Sequence, residues 1–237
     1  MKKNEDIVNI ILQKLGTSLE PFCFQLVNKI KKVTIPSFIT RIEGMSFYRC
    51  ILLSEITIPP SVTYIGDYAF SQCRSLVKVT FPSSVTEVGK YIFSRCTKLK
   101  KVTFDSLEKI PNSSFYDCTS LVSFDIPQSV KYIDQYAFCS CPKLQNIFIP
   151  PSVTCVGDYA FCLCSKLENV VIPNSITKIA NYLFRGCKSL KEIVIPDSIT
   201  EIGKYSFDGC SVLNEIYIPS SVKRIGGFAF NGCISLN

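Results

Sequence analysis

The chain has 237 residues, a formal net charge of +7 and an apolar fraction of 47%, with neither histidine nor tryptophan. This apolar content is enough to bury a core, which excludes an intrinsically disordered chain. The absence of histidine removes the commonest general base and the usual partner of a catalytic serine or cysteine. Because the sequence also lacks a phosphate-binding glycine loop and a nucleophile elbow, we predict no enzyme, no catalytic residues and no cofactor.

Residues 1–30 differ from the rest of the chain. Their first half spaces apolar side chains as an amphipathic helix does, at Ile7, Val8, Ile10, Ile11, Leu12 and Leu15. We predict a short N-terminal helical cap over residues 1–30 that merges into a degenerate first repeat at Phe24. A signal peptide is the alternative, but Glu5 and Asp6 interrupt its start and no small-residue cleavage site follows.

One pattern then repeats nine times, with a phenylalanine followed three residues later by a cysteine. The phenylalanines are Phe47, Phe70, Phe93, Phe115, Phe138, Phe161, Phe184, Phe207 and Phe230, which are 23 residues apart except for one step of 22. A fixed period of this length is typical of a solenoid, in which each turn buries its apolar residues against its neighbours. We therefore predict one solenoid domain over residues 31–237, with an incomplete last repeat.

The repeat around residues 189–207 illustrates the local structure. Ile193 and Ile195 alternate with Val194 as in a half-buried strand, and Pro196 cannot donate to a continuing ladder. A second extended limb follows, and we predict that Gly203 adopts a positive φ at its end. No window within the repeats has the length and period of an amphipathic helix, so the fold class is mainly β.

These residues resemble the BspA-like leucine-rich repeat family. The pattern Leu-x-x-Ile-x-Ile-Pro followed by Ile-Gly-x-x-Ala-Phe-x-x-Cys covers roughly residues 24–237. The resemblance implies a curved leucine-rich-repeat array with a parallel sheet on its concave face. It also implies similarity to bacterial surface antigens and parasite proteins that bind other proteins. The repeat at residues 104–115 departs from the pattern, with Asp105 and Pro111 replacing a proline and a glycine, and we expect a local kink or bulge there.

Nine of the thirteen cysteines occupy one repeat position. They are Cys50, Cys73, Cys96, Cys118, Cys141, Cys164, Cys187, Cys210 and Cys233. We predict that they form a ladder of small buried side chains with reduced thiols, rather than disulfides. A zinc site formed by Cys139, Cys141, Cys162 and Cys164 is the alternative, but alternation along the chain opposes it, so we predict no metal.

Tyrosines form a second column, two residues before the phenylalanine. Its members are Tyr68, Tyr91, Tyr136, Tyr159, Tyr182 and Tyr205, with Met45, Ser113 and Phe228 in the other turns. We predict a structural stack rather than a ligand platform, because stacked rings cover apolar surface while their hydroxyls reach water.

The functional prediction depends on the strand residues that point away from the core. The residue before the last apolar residue of each strand is threonine in the first four repeats, then Asp125, Phe148, Val171, Val194 and Tyr217. The column two residues earlier becomes acidic at Glu192 and Glu215. A contiguous apolar strip usually indicates a partner, so we predict a protein-binding site at these seven residues on the concave face. The alternative is that they are ordinary solvated strand residues.

The chain ends at Asn237, directly after Leu236 takes the leucine position of a repeat. An open strand edge is a template for pairing, so a homodimer through this edge is a further expectation. Nucleic acid is not an expected partner, because lysines such as Lys98, Lys100 and Lys101 are interspersed with acidic residues and lack stacking aromatics. No stretch is long enough to insert into a membrane.

The sequence therefore predicts a non-enzymatic protein-interaction module in the cytoplasm, whose partner it does not identify. The reduced thiols and the lack of a recognisable signal favour that compartment. The alternative is a BspA-like adhesion protein at the cell surface that binds host or extracellular-matrix proteins, exported without a recognisable signal peptide.

Overall fold

The computed structural model describes residues 16–25, 27 and 29–236. These residues form a parallel β-solenoid of about nine turns with the leucine-rich-repeat fold, and each regular turn contributes a three-residue and a two-residue strand. The long strands are β2 Lys32–Thr34, β4 Glu55–Thr57, β6 Lys78–Thr80, β8 Lys101–Thr103, β11 Asn146–Phe148, β13 Asn169–Val171, β15 Glu192–Val194 and β17 Glu215–Tyr217. The short strands are β1 Ser18–Leu19, β3 Arg41–Ile42, β5 Tyr64–Ile65, β7 Glu87–Val88, β9 Lys109–Ile110, β10 Tyr132–Ile133, β12 Cys155–Val156, β14 Lys178–Ile179, β16 Glu201–Ile202 and β18 Arg224–Ile225.

The strands pair in parallel with equivalent strands of neighbouring turns, in six separate ladders. The long strands form the ladders β2–β4, β6–β8 and β11–β13–β15–β17. The short strands form β1–β3–β5–β7, β9–β10–β12 and β14–β16–β18. Two faces of stacked strands therefore run along the solenoid, with the core between them.

At the irregular turn expected over residues 104–115, strand pairing is interrupted on both faces of the solenoid. The turn after β8 has no long strand, and Ser123 forms only an isolated bridge to Asn146. On the other face, β7 and β9 are not paired. Gly66 and Gly89 each donate their backbone N–H to the preceding turn, whereas Pro111 has no N–H to donate at the same position.

The core is dominated by a stack of phenylalanines. From Phe24 to Phe230, successive rings lie 4.9 to 5.9 Å apart between centroids and nearly parallel. All of these rings except the last are fully buried. This offset stacking adds to the free energy gained from their burial.

The helical cap predicted for residues 1–30 is not supported. The apolar pattern on which it depended lies in residues 1–15, outside the described residues. In the described part of this segment, β1 pairs with β3 and Phe24 stacks on Phe47 at 4.9 Å. These residues extend the solenoid ladder instead of forming a helix, because pairing with the next turn satisfies their backbone groups.

The prediction of a positive φ at Gly203 is wrong. The left-handed residues of that turn are Tyr205, with φ 54°, and Gly209, with φ 73°. Gly203 is required for a different reason, since a Cβ there would lie 2.7 Å from the backbone carbon of Ala180. The glycine therefore permits close approach of two turns rather than a reversal of the chain.

The nine repeat cysteines form the predicted buried ladder, and each thiol also donates a hydrogen bond to the preceding turn. Cys96 Sγ, for example, donates to the backbone oxygen of Phe70 at 3.1 Å. The other eight make the equivalent bond at 3.1 to 3.3 Å. Burial raises the pKa of Cys96 from 9.0 to about 12.

We expect the thiol ladder to make stability depend on pH. The folded pKa of Cys96 lies above its unfolded value, so its contribution is complete below pH 9.0 and is lost as pH rises towards about 12. The guanidinium midpoint should fall between about pH 8 and about pH 10. The fall should be smaller in Cys96→Ala, which has one fewer buried thiol. Equal falls in both proteins would contradict this prediction.

Candidate protein-binding surface

The apolar residues predicted to bind a partner form a continuous row across one face of the solenoid. Phe148 pairs in register with Val171, Val171 with Val194, and Val194 with Tyr217. Their exposed fractions are 56%, 62%, 78% and 75%, respectively. We call Phe148, Val171, Val194 and Tyr217 the apolar row.

Alternation along each strand places these side chains in solvent. In β15, Ile193 is buried while Glu192 and Val194, its neighbours in sequence, are exposed. The same exposed, buried, exposed order holds in β11 and β13. Because consecutive strand residues point to opposite sides, the core cannot bury the apolar row without exposing the middle residues.

The N-terminal half of the same face has a different chemical character. Threonine pairs with threonine there, as Thr34 with Thr57 and Thr80 with Thr103. Threonine suits a solvated strand, since its methyl group packs on its neighbours and its hydroxyl faces water. The apolar character is therefore confined to the strands β11, β13, β15 and β17.

Two carboxylates lie beside the apolar row. Glu192 and Glu215 are both exposed and pair in register on neighbouring strands. Within the described residues, neither forms an ion pair, whereas Lys32 and Glu55 in the same column are paired at 2.6 Å. Like charges on directly paired residues are destabilising, so this arrangement carries an energetic cost in the free protein.

Asp125, the remaining predicted site residue, is exposed but does not belong to the paired strands. It lies in the irregular turn where Ser123 makes only an isolated bridge to Asn146. The structure therefore brings six of the seven predicted residues onto one four-stranded surface and leaves Asp125 at its margin.

The tyrosine column forms two half-buried stacks. Tyr68 and Tyr91 stack at 4.5 Å, and Tyr136, Tyr159, Tyr182 and Tyr205 stack at 4.3 to 4.9 Å. Each of these tyrosines has a positive φ between 54° and 60°. This conformation is costly for a residue with a side chain, but Met45 and Ser113 also adopt it at the same repeat position, so it is a property of the turn.

A cleft of about 470 Å³ opens where β7 and β9 are unpaired. Its lining includes Glu87, Glu108, Lys109, Tyr132 and Asp134. Lys131 pairs with Glu108 beside it at 3.3 Å. The sequence indicated an irregularity at this turn but not the cleft, which depends on how far the two turns separate.

The four cysteines considered for zinc do not form a metal site. Cys141 and Cys164 donate to the backbone oxygens of Phe115 and Phe138 within the core ladder. Among residues 16–25, 27 and 29–236, no three cysteine, aspartate or glutamate side chains converge on a position suited to a metal ion. Nor does that part of the chain contain a helix long and apolar enough to span a membrane.

Residues 2–122 and 108–237 match the family described as BspA type leucine-rich repeat region (6 copies). The structure is similar to that of a leucine-rich repeat protein from Bacteroides ovatus ATCC 8483, with a TM-score of 0.71 and 30% identity over 93% of this chain and 69% of that one. It is also similar to a leucine-rich cell surface protein from Faecalibacterium prausnitzii A2-165, with a TM-score of 0.62 and 32% identity over 91% of this chain and 60% of that one. For a leucine-rich repeat protein of T. pallidum, the TM-score is 0.57 with 28% identity over 87% of this chain and 78% of that one. No curated protein matches the chain.

Proposed function

Given that this chain belongs to the BspA type leucine-rich repeat family, we propose that it is a non-enzymatic module that binds a protein partner through the apolar row. The proposal rests on one observation. Four apolar side chains pair in register on neighbouring strands and are all exposed, namely Phe148, Val171, Val194 and Tyr217. A contiguous exposed apolar patch with a polar rim is typical of a protein-interaction site. The aromatic residues at its two ends are of the kind that supplies most of the binding energy at interfaces.

The charges beside the apolar row define the chemistry of the partner. Glu192 and Glu215 repel each other in the free protein, and a cationic group placed between them would relieve this repulsion. We therefore propose a partner surface that combines apolar side chains with lysine or arginine. Asp125 at the margin of the row adds a third carboxylate. Such complementarity increases the association rate and selects among partners.

A pull-down with a matched control tests this proposal. Phe148→Ser/Tyr217→Ser should lose a partner that the wild type retains from a lysate of its own source. The affinity for that partner, once purified, should fall roughly a hundredfold or more, because each aromatic anchor contributes about 2 kcal/mol or more. The affinity should also weaken as salt rises, because the proposed contacts include exposed charges.

Phe38→Ser/Leu52→Ser is the control, since both side chains are exposed apolar residues outside the apolar row. It should retain the partner with unchanged affinity. If both double variants bind equally well, the binding site lies elsewhere. Recovery of the protein alone would favour the expected homodimer through the C-terminal edge.

A second candidate function is adhesion at the cell surface. The Faecalibacterium protein to which this chain is similar is named a leucine-rich cell surface protein. The same surface would then bind a host or extracellular-matrix protein. The pull-down distinguishes the two candidates, because an extracellular partner favours adhesion and an intracellular partner favours a cytoplasmic module.

A further inference from the structure

The residue directly after each repeat phenylalanine forms a column of its own. Its members are Tyr48, Ser71, Ser94, Tyr116, Cys139, Cys162, Arg185, Asp208 and Asn231. Side chains of this column reach each other between consecutive turns, since Arg185 Nε donates to Asp208 Oδ2 at 2.9 Å. Asn231 Nδ2 likewise donates to Asp208 Oδ1 at 2.7 Å.

Cys139 and Cys162 occupy consecutive places in this column. Their turns are held in register by backbone hydrogen bonds on both sides, from Phe138 N to Ala160 O and from Ser140 N to Cys162 O, both at 2.8 Å. The neighbouring ring pairs, Tyr136 with Tyr159 and Phe138 with Phe161, have centroids 4.7 and 5.5 Å apart, which gives the spacing of the two turns at the cysteines. This spacing falls inside the Cα separation of about 4.4–6.8 Å that a disulfide spans.

We propose that Cys139 and Cys162 are a redox modification site, which a hydroperoxide oxidises to a disulfide joining two consecutive turns. In the first step, the Cys139 thiolate attacks one peroxide oxygen and the O–O bond breaks. This step yields a sulfenic acid on Cys139 and, with hydrogen peroxide, one water. The Cys162 sulfur then attacks the sulfenic sulfur, so the S–S bond forms and the hydroxyl leaves as a second water with the Cys162 proton.

The surroundings of the two thiols assign the order of these steps. Cys139 Sγ lies 3.8 Å from Ser140 Oγ, whose hydroxyl can donate to a thiolate. The neighbouring Cys162 also lowers the pKa of Cys139, so we assign Cys139 as the nucleophile. The neighbouring Cys139 and burial raise the pKa of Cys162, which stays protonated until it resolves the sulfenic acid. Cys139 is 5% exposed and Cys162 3%, so a small hydroperoxide suits the site better than a bulky disulfide reagent.

The other thiols of the chain are arranged differently. Cys141 and Cys164 also lie on consecutive turns, but each donates its proton to a carbonyl of the preceding turn. Burial raises the pKa of both well above its usual value, which suppresses the reactive thiolate. Cys155 is exposed, but it pairs in register with Tyr132 rather than with a cysteine.

Thiol counting by mass spectrometry tests the proposal. The reduced protein is treated with equimolar hydrogen peroxide, denatured and blocked with iodoacetamide. Wild type should take up thirteen labels before oxidation, one for each cysteine, and two fewer afterwards. Cys139→Ser should lose none, and Cys162→Ser at most one, as a sulfenic acid on Cys139 that has no resolving thiol.

These variants are expected to fold, because Ser71 and Ser94 occupy the same position in two other turns and are buried there. Cys155→Ser is the control for exposed thiols and should lose two labels like the wild type. The proposal is overturned if wild type keeps all thirteen labels, if Cys139→Ser still loses two, or if the lost labels reflect a covalent dimer.

Discussion

We expect Phe161→Ala to lower the free energy of unfolding by about 3–5 kcal/mol. Phe161 is fully buried and lies between two other rings, with centroids 5.5 Å from Phe138 and 5.9 Å from Phe184. Its removal eliminates both stacking contacts and leaves a cavity that neighbouring turns can fill only partly, because each is held by its own hydrogen bonds. Guanidinium unfolding followed by circular dichroism measures the change.

Phe148→Ala is the matched control, because the same substitution is made on an exposed side chain. Phe148 is more than half exposed, so its truncation should change the free energy of unfolding by less than about 1 kcal/mol. A loss of similar size in both variants would show that the Phe161 ring does not contribute through burial in the stack.

We expect Ile193→Asp to have an effect at least as large, of about 4 kcal/mol or more. Ile193 is the buried middle residue of β15 and packs in the core. An aspartate there both removes the packing of the isoleucine and places a polar group in an apolar environment with no partner. The expected result is a large fall in the guanidinium midpoint, or loss of the folded state at room temperature.

Val194→Asp tests the same alternation from the other side. Val194 is the next residue along β15 but is 78% exposed, so the carboxylate would remain in water. Its free energy of unfolding should fall by no more than about 1 kcal/mol, because aspartate has a lower strand propensity than valine and adds a charge near Glu192 and Glu215. If Ile193→Asp and Val194→Asp lowered the free energy of unfolding equally, the assignment of inner and outer faces in β15 would be wrong.

Much of the fold was predictable because the repeat period determines which residues stack. Phe138, Phe161 and Phe184 are 23 residues apart, so in a solenoid they occupy the same place on consecutive turns. The same reasoning predicted the cysteine ladder and the tyrosine column. It was also enough to identify the apolar row, since Val171 and Val194 hold equivalent positions and alternate with buried neighbours.

The fine structure of the turns was not predictable in the same way. Nothing in the sequence indicates that Tyr205 rather than Gly203 adopts a positive φ, since tyrosine gains little from that conformation alone. Met45 and Ser113 adopt the same conformation at this repeat position, so it belongs to the turn and not to the ring. In this conformation the backbone N–H of Tyr205 donates to Gly227 O of the next turn at 3.2 Å, a contact that exists only after the turns have assembled. The missing pairing between β12 and β14 likewise had no signal in the sequence.

The sequence by itself determined the solenoid, the residues of its core and the outward apolar row, because a strict period and strand alternation are properties of the chain alone. Only the tertiary structure decided which atoms meet between turns. It showed that Cys141 donates to a carbonyl of the preceding turn, whereas the sulfur of Cys139, two residues earlier, lies 3.8 Å from Ser140 Oγ instead. The physical reason is that a contact between turns depends on backbone conformation and spacing, and these are set by packing against the neighbouring turns.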